Sequence, residues 1–119
     1  MNEELRFRLP STSEMQILQR LLEADFPGRQ AVVSQVHGIR VRRIDPEGSL
    51  ELQAIPNSEE ANVERRIPVE AEGMDEDGTM IHVLLHVVNG IASELEIYKD
   101  DGSSIKAFPS PQNLKLLVL

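Results

Sequence analysis

Two periodicities divide the chain. Near its start Met15, Leu18 and Leu22 recur at spacings of three and four, with Ile17 and Leu21 beside them, which is the stripe of an amphipathic helix. Ser11-Thr12-Ser13-Glu14 stands ahead of that stripe and fits a capping box, in which the serine oxygen accepts from freed backbone N–H groups while the glutamate reaches back. Phe26-Pro27-Gly28 stops the helix. A second short helix is expected over 29–37, with Val32, Val33 and Val36 apolar and Gly38 as the glycine just past its end. A run of valines suits a strand equally well.

From Ile39 the period falls to two. Ile39, Val41, Leu50, Leu52 and Ala54 alternate with Arg40, Arg42, Glu51 and Gln53 around Asp45-Pro46-Glu47-Gly48. A four-residue turn there pairs Val41 with Leu52 and Arg42 with Glu51, which puts the apolar residues on one face. Residues 56–60 read as a loop. Val63, Ile67, Val69 and Ala71 form the next alternating set, opposite Glu64, Arg66, Glu70 and Glu72, and Pro68 within it predicts an edge strand or a bulge. After a polar turn at 74–78, segments 80–88 and 91–98 make the strongest hairpin, around Asn89-Gly90. A two-residue loop would pair Leu85 with Glu94 and Val83 with Glu96, mixing the faces. A three-residue loop with a bulge at Gly90 pairs Val83 with Leu95 and Ile81 with Ile97, and is the expected register. The predicted core face is Ile81, Val83, Leu85, Val87, Ile91, Leu95 and Ile97, of which Val83, Leu85, Leu95 and Ile97 are expected beneath Leu18 and Leu22. The opposite face carries His82, Leu84, His86, Glu94, Glu96 and Tyr98.

These elements predict an α+β fold: an antiparallel meander sheet of about five strands, with one or two N-terminal helices packed on one face. A single domain is expected over 1–119, divided into a lead-in (1–10), a helical segment (11–38), the sheet (39–105) and an apolar C-terminal segment (106–119). In that last segment Pro109 and Pro111 deliver Leu114-Lys115-Leu116-Leu117-Val118-Leu119 in extended form. Left in water it would be an aggregation liability. It is expected to be covered within the chain, by joining a sheet edge or by packing over Leu84 and Tyr98. Pairing with its copy would instead make a homodimer, so monomer and homodimer both stay open.

Composition narrows the chemistry. Aromatics are only 3% of 119 residues, so Leu, Val and Ile must build the core. The absence of Cys excludes thiol catalysis, disulfides and cysteine-based metal sites. Nothing near Met1 has the pattern of a signal peptide, and no apolar stretch approaches the roughly 20 residues that span a bilayer, so a cytoplasmic address and no membrane partner are expected. Twelve Lys and Arg against twenty Asp and Glu give a net charge of −8. Nearly all of it falls in 57–119, where twelve acids meet five bases. Such a surface repels phosphate backbones, so no nucleic acid is expected, and it suits a basic protein partner.

No motif for catalysis or cofactor binding survives. His82 and His86 would face one side of a strand about 13 Å apart, at roughly 3.3 Å per residue, too far to share a metal without help from neighbours such as Glu96, expected opposite His82. Asp75-Glu76-Asp77-Gly78-Thr79 lacks the later ligand positions of a calcium loop. The seven glycines, Gly73 among them, each fall at an expected turn or cap, which leaves none for a phosphate loop. If the strands alternate up and down, the turns at 45–48, 73–78 and 99–102 gather Asp45, Glu47, Asp75, Glu76, Asp77, Asp100 and Asp101 at one end of the sheet, where they could steer a basic partner.

Residues 67–105, above all Gly90-Ile91-Ala92-Ser93-Glu94-Leu95-Glu96-Ile97-Tyr98-Lys99-Asp100-Asp101-Gly102, resemble the C-terminal hairpin of a family of small bacterial proteins of unknown function. That resemblance implies a bacterial, cytoplasmic, α+β protein and carries over no catalytic residue. In size and charge the chain is also similar to toxin-neutralising immunity proteins. The expected function is a non-enzymatic protein-binding module, regulatory or immunity-type, acting through its acidic end or its open sheet face, with no cofactor. The alternative is a small-molecule- or metal-binding domain, a hydrolase included, using His82, His86, Glu94 and Glu96.

Overall fold

In the computed structural model, which describes residues 6–119, helix α1 (Thr12–Leu21) begins where the capping box predicts. Ser11 Oγ accepts from the Glu14 N–H at 3.1 Å and the Glu14 carboxylate accepts from the Ser11 N–H at 2.8 Å. Arg8 grips the same carboxylate at 2.7 Å, and this ion pair, ahead of the backbone bonds, holds the Glu14 carboxyl below its ordinary value. Helix α2 (Arg29–His37) is the second predicted helix, and its buried face is Val32, Gln35 and Val36. Gly38 ends it at φ −115°, a negative value open to any residue, rather than as a left-handed cap. Of the expected lead-in, residues 1–5, and with them the reading of the region near Met1, lie outside the described residues.

Six strands follow: β1 (Arg40–Arg43), β2 (Leu50–Gln53), β3 (Val69–Met74), β4 (Met80–Val88), β5 (Ile91–Lys99) and β6 (Lys115–Val118). They form one antiparallel sheet in the order β1-β2-β5-β4-β3-β6. The meander β3–β4–β5 is its centre, the β1–β2 hairpin joins beside β5, and β6 joins beside β3. The α+β class holds, with one strand more than the expected five. The β1–β2 register is the predicted one, Val41 opposite Leu52 and Arg42 opposite Glu51.

The central hairpin differs from expectation in register, while its faces hold everywhere but at Ile91, which was expected on the core face. Val83 pairs with Ile97 and Leu85 with Leu95, two residues away from the expected pairs. Asn89 (φ 52°) and Gly90 (φ 80°) both take left-handed values, so the loop has two residues. The bulge sits at Ser93 instead, between the pairs Val87–Ala92 and His86–Glu94. On the turn side of that bulge the parity is reversed: Ala92 is buried and Ile91 only half-buried. Beyond it Leu95 and Ile97 face the core with Ile81, Val83 and Leu85.

Pro68 does not mark an edge or a bulge. Strand β3 starts at Val69, inside the sheet, so the missing proline N–H falls before the ladder begins, while the Pro68 carbonyl accepts from the Leu119 N–H at 3.1 Å. Val63 and Ile67 lie ahead of the strand, in a loop. Gly73 lies within β3 rather than at a turn, and a Cβ there would come 2.9 Å from both Leu114 and Pro109. The C-terminal segment is covered within the chain, at the edge of β3 and not over Leu84 and Tyr98. Both helices, with Ile105, Phe108 and Leu114, lie on the face of the sheet that carries Leu50, Val69, Ile81, Leu85 and Leu95. The result is a slab of 42 × 38 × 21 Å whose second sheet face has no helix over it among the described residues.

Candidate functional site

The uncovered face is built of three cross-strand rows. One row runs Arg42, Glu51, Glu94, His86; the next Glu96, Leu84, Glu70, Leu117; the third Tyr98, His82, Glu72, Lys115. Neighbours within a row stand about 4.8 Å apart and alternate positions along a strand about 6.6 Å apart. Five glutamates thus share a plane, with Asp100 at its rim. Arg42 lies over the Phe7 ring at 4.4 Å and pairs with Glu51 at 2.8 Å. The Tyr98 phenol is held above its ordinary value, first by desolvation and then by the charges of Glu70, Asp100 and Glu96.

Each histidine of the open face has its own carboxylate. His82 Nε2 meets Asp100 Oδ1 at 2.6 Å, and its ring stacks on Tyr98 with centroids 4.8 Å apart. Glu96 is therefore not the neighbour of His82; the register shift places it beside His86, whose Nε2 lies 2.8 Å from Glu96 Oε1. Ligand atoms of His86, Glu94 and Glu96 all lie within 4.8 Å of one another. Against the other ring nitrogen, Arg66 Nε approaches His86 Nδ1 at 3.0 Å. A guanidinium can only donate, so Nδ1 accepts and the ring proton sits on Nε2, donated to Glu96. A metal-bound imidazole has the reverse arrangement, its free nitrogen donating outward. In this geometry both ring nitrogens of His86 are taken, by Glu96 and by Arg66.

The acidic end assembles as expected, and most of it is already engaged. The loops after β1, β3 and β5 all fall at one end of the sheet. Asp45 Oδ1 accepts the N–H groups of Glu47, Gly48 and Ser49 at 2.9–3.1 Å. Asp101 accepts from Ser103, and Asp100 meets His82. Asp75 is buried and takes N–H bonds from Glu76, Lys106 and Ala107. The Lys99 ammonium, fully enclosed, lies 2.9 Å from Asp75 and 2.6 Å from Asp77. The Lys106 N–H first, then Lys99 and the other backbone bonds, hold the Asp75 carboxyl far below its usual range; the two carboxylates hold Lys99 above its own. Of the seven acids, Glu47 and Glu76 have carboxylates that accept no hydrogen bond from the described residues.

Sequence reading missed Arg66, placed in an alternating strand but found in a loop, and also Lys99 and Gln35. Glu70 and Glu72 were readable, since their alternation with Val69 and Ala71 puts them on the open face. Surface clefts of about 220–390 Å³ flank the helices and the 63–66 loop, and none of these is lined by His82, His86, Glu94 or Glu96. No described helix is long and apolar enough to cross a membrane.

Residues 7–109 match the model of a family described as a domain of unknown function, DUF6984, and the chain belongs to that family. No curated protein and no solved structure matches it.

Proposed function

We propose that this family member is a single-domain, non-enzymatic protein-binding module of regulatory or immunity type, working in the bacterial cytoplasm, that receives a basic partner on its open sheet face. The observation that carries the reading is the plane of Glu51, Glu70, Glu72, Glu94 and Glu96, with no helix over it among the described residues. A ligand site is concave, with convergent polar groups. A flat carboxylate array instead suits a protein surface, where it steers encounter and sets orientation. The acidic end is the weaker contributor, because Asp45, Asp75, Asp77, Asp100 and Asp101 are tied to groups of the chain itself.

The test is capture from a bacterial lysate with two charge-matched variants. Glu70→Gln/Glu72→Gln should lose the bound protein, whereas Glu47→Gln/Glu76→Gln should keep it. Binding should weaken steeply as salt rises. A partner retained by the first variant and lost by the second would return the function to the acidic end. A partner indifferent to both would end the electrostatic reading.

One observation favours the second reading, a metal- or small-molecule-binding domain: the clustering of His86, Glu94 and Glu96. The Arg66 hydrogen bond weighs against it, since it fixes the proton on the nitrogen a metal would need.

A further inference from the structure

The two edges of the sheet are finished differently. On β1, Arg8 closes the outer side at its centre: Arg8 N–H donates to the Val41 carbonyl at 2.9 Å and Val41 N–H to the Arg8 carbonyl at 2.7 Å. Arg40 and Arg43 flank that bridge with exposed charges, the usual protection of an edge. On β6 no bridge closes the outer side among the described residues, and a single exposed charge, Lys115, stands at the start of the strand. The Leu119 N–H donates inward to Pro68, and in an antiparallel ladder the inward-bonded residues alternate, so Leu117 and Lys115 also bond to β3. Leu116 and Val118 therefore turn both N–H and C=O outward. Val118 and Leu119 are each half exposed. No Asp or Glu occurs in 102–119, although the chain as a whole carries −8.

We infer that the β6 edge pairs with the β6 edge of a second copy, joining two sheets into one across a two-fold axis. The outward groups fix the register. Leu116 faces Val118 of the copy, and Val118 faces its Leu116, so that four backbone hydrogen bonds form; Leu117 meets Leu117 of the copy on the axis in the close, non-hydrogen-bonded position. The edge is self-complementary: Leu meets Val on one face and Leu meets Leu on the other, and Lys115 lies opposite Leu119. The two Lys115 ammoniums stand four residues apart along the strands, about 13 Å. A basic peptide would meet Lys115 and no carboxylate on this strand, which is why the occupant is a copy and not the open-face partner. With β1 closed by Arg8, the pairing ends at two subunits instead of propagating into a fibre.

The experiment uses the full 119-residue chain, which has no native Cys. Light scattering on a sizing column should give twice the 13.3 kDa mass, with the dimer favoured at higher salt because like-charged subunits repel. Leu117→Cys should form an intermolecular disulfide on mild oxidation, because a non-hydrogen-bonded pair has its Cα atoms near the reach of that bond, whereas Lys115→Cys should not. Leu117→Lys should halve the mass while its circular dichroism spectrum stays that of the parent, which separates lost pairing from lost folding. A parent that remains 13.3 kDa at about 100 µM in high salt overturns the inference, and so does equal cross-linking at 115 and 117.

Discussion

Gln35 is the buried polar side chain on which the position of helix α2 depends, and replacing it tests the packing of helix on sheet. It is 1% exposed. Its amide nitrogen donates to the carbonyls of Glu59 and Gly90 and its amide oxygen accepts from the Ala92 N–H, all at 2.8 Å. One side chain thus ties α2 to the 59–61 loop and to the β4–β5 turn. In Gln35→Ala the Gly90 carbonyl keeps its bond from the Ala61 N–H, and Glu59 lies in an exposed stretch where water reaches. The Ala92 N–H, fully buried, is left without a partner, at about 1–3 kcal/mol. The space vacated adds a cavity contribution, so the total expected is about 2–5 kcal/mol. Gln35→Leu fills most of that space and should still cost about 1–3 kcal/mol, since only the polar part is lost. Urea unfolding followed by circular dichroism measures both; at a slope of about 2 kcal/mol per molar, a 2 kcal/mol loss moves the midpoint by about 1 M. A leucine variant as stable as the parent would refute the reasoning, because the Ala92 N–H would then have found water or a substitute and the clamp would be incidental.

Other perturbations have equally definite outcomes. Leu95→Ala should lose about 2–5 kcal/mol and the half-exposed Glu94→Ala under about 0.5 kcal/mol in the same assay; equal losses would contradict the bulge at Ser93. Ser49→Ala should cost about 1–3 kcal/mol, because Ser49 Oγ both donates to the Ile97 carbonyl and accepts its N–H. Asp75 has a depressed folded value, so its stabilisation is present above the unfolded carboxyl range near pH 4 and fades as pH falls below it; Asp75→Asn should melt lower at pH 7 and approach the parent near pH 2. A gap unchanged with pH would remove Asp75 from that role. Purified protein should carry no stoichiometric zinc, while Arg66→Ala frees His86 Nδ1 and should raise zinc affinity in a competition titration; zinc retained by the parent would reverse the tautomer argument.

The amphipathic helix, its cap, the β1–β2 register and the choice of sheet faces were legible because each is written in near neighbours. Ser11 and Glu14 are three apart, and Val41 reaches Leu52 through a short turn. The central hairpin shows where pattern reading succeeds and fails together. Two constraints compete there: Asn89-Gly90 is shaped for a two-residue turn, while alternation forbids the register that turn imposes. Assigning the bulge to the turn satisfied alternation and gave the right faces beyond Ser93, but put Ile91 in the core where Ala92 is found. The chain satisfies both, by completing the tight turn and inserting the extra residue at Ser93, so the pairs move by two and no side chain beyond the bulge changes face. Periodicity reports parity, and a shift of two residues leaves parity untouched.

The open-face site inherits that limit. Which side chains share the plane follows from parity, so His82, Leu84, His86, Glu94, Glu96 and Tyr98 were all placed on it from the sequence. Which of them touch follows from register, so the partner of Glu96 was missed: the shift moves it from His82 to His86 and leaves His82 to Asp100. Contacts that cross long stretches of chain leave no local trace at all. Arg66 reaches His86 over 20 residues and Gln35 reaches Ala92 over 57. At Lys99 the failure is one of residue type. A lysine following Tyr98 reads as a solvated end of a strand, yet its odd position places it on the core face, where only charges from the β3–β4 turn can satisfy it. Parity alone would have buried Lys99, and a buried ammonium requires carboxylates. The Asp75-Glu76-Asp77 turn at the adjacent strand end supplies them, and meeting that requirement is what withdraws Asp75 from the surface and engages the Asp77 carboxylate that a partner would meet.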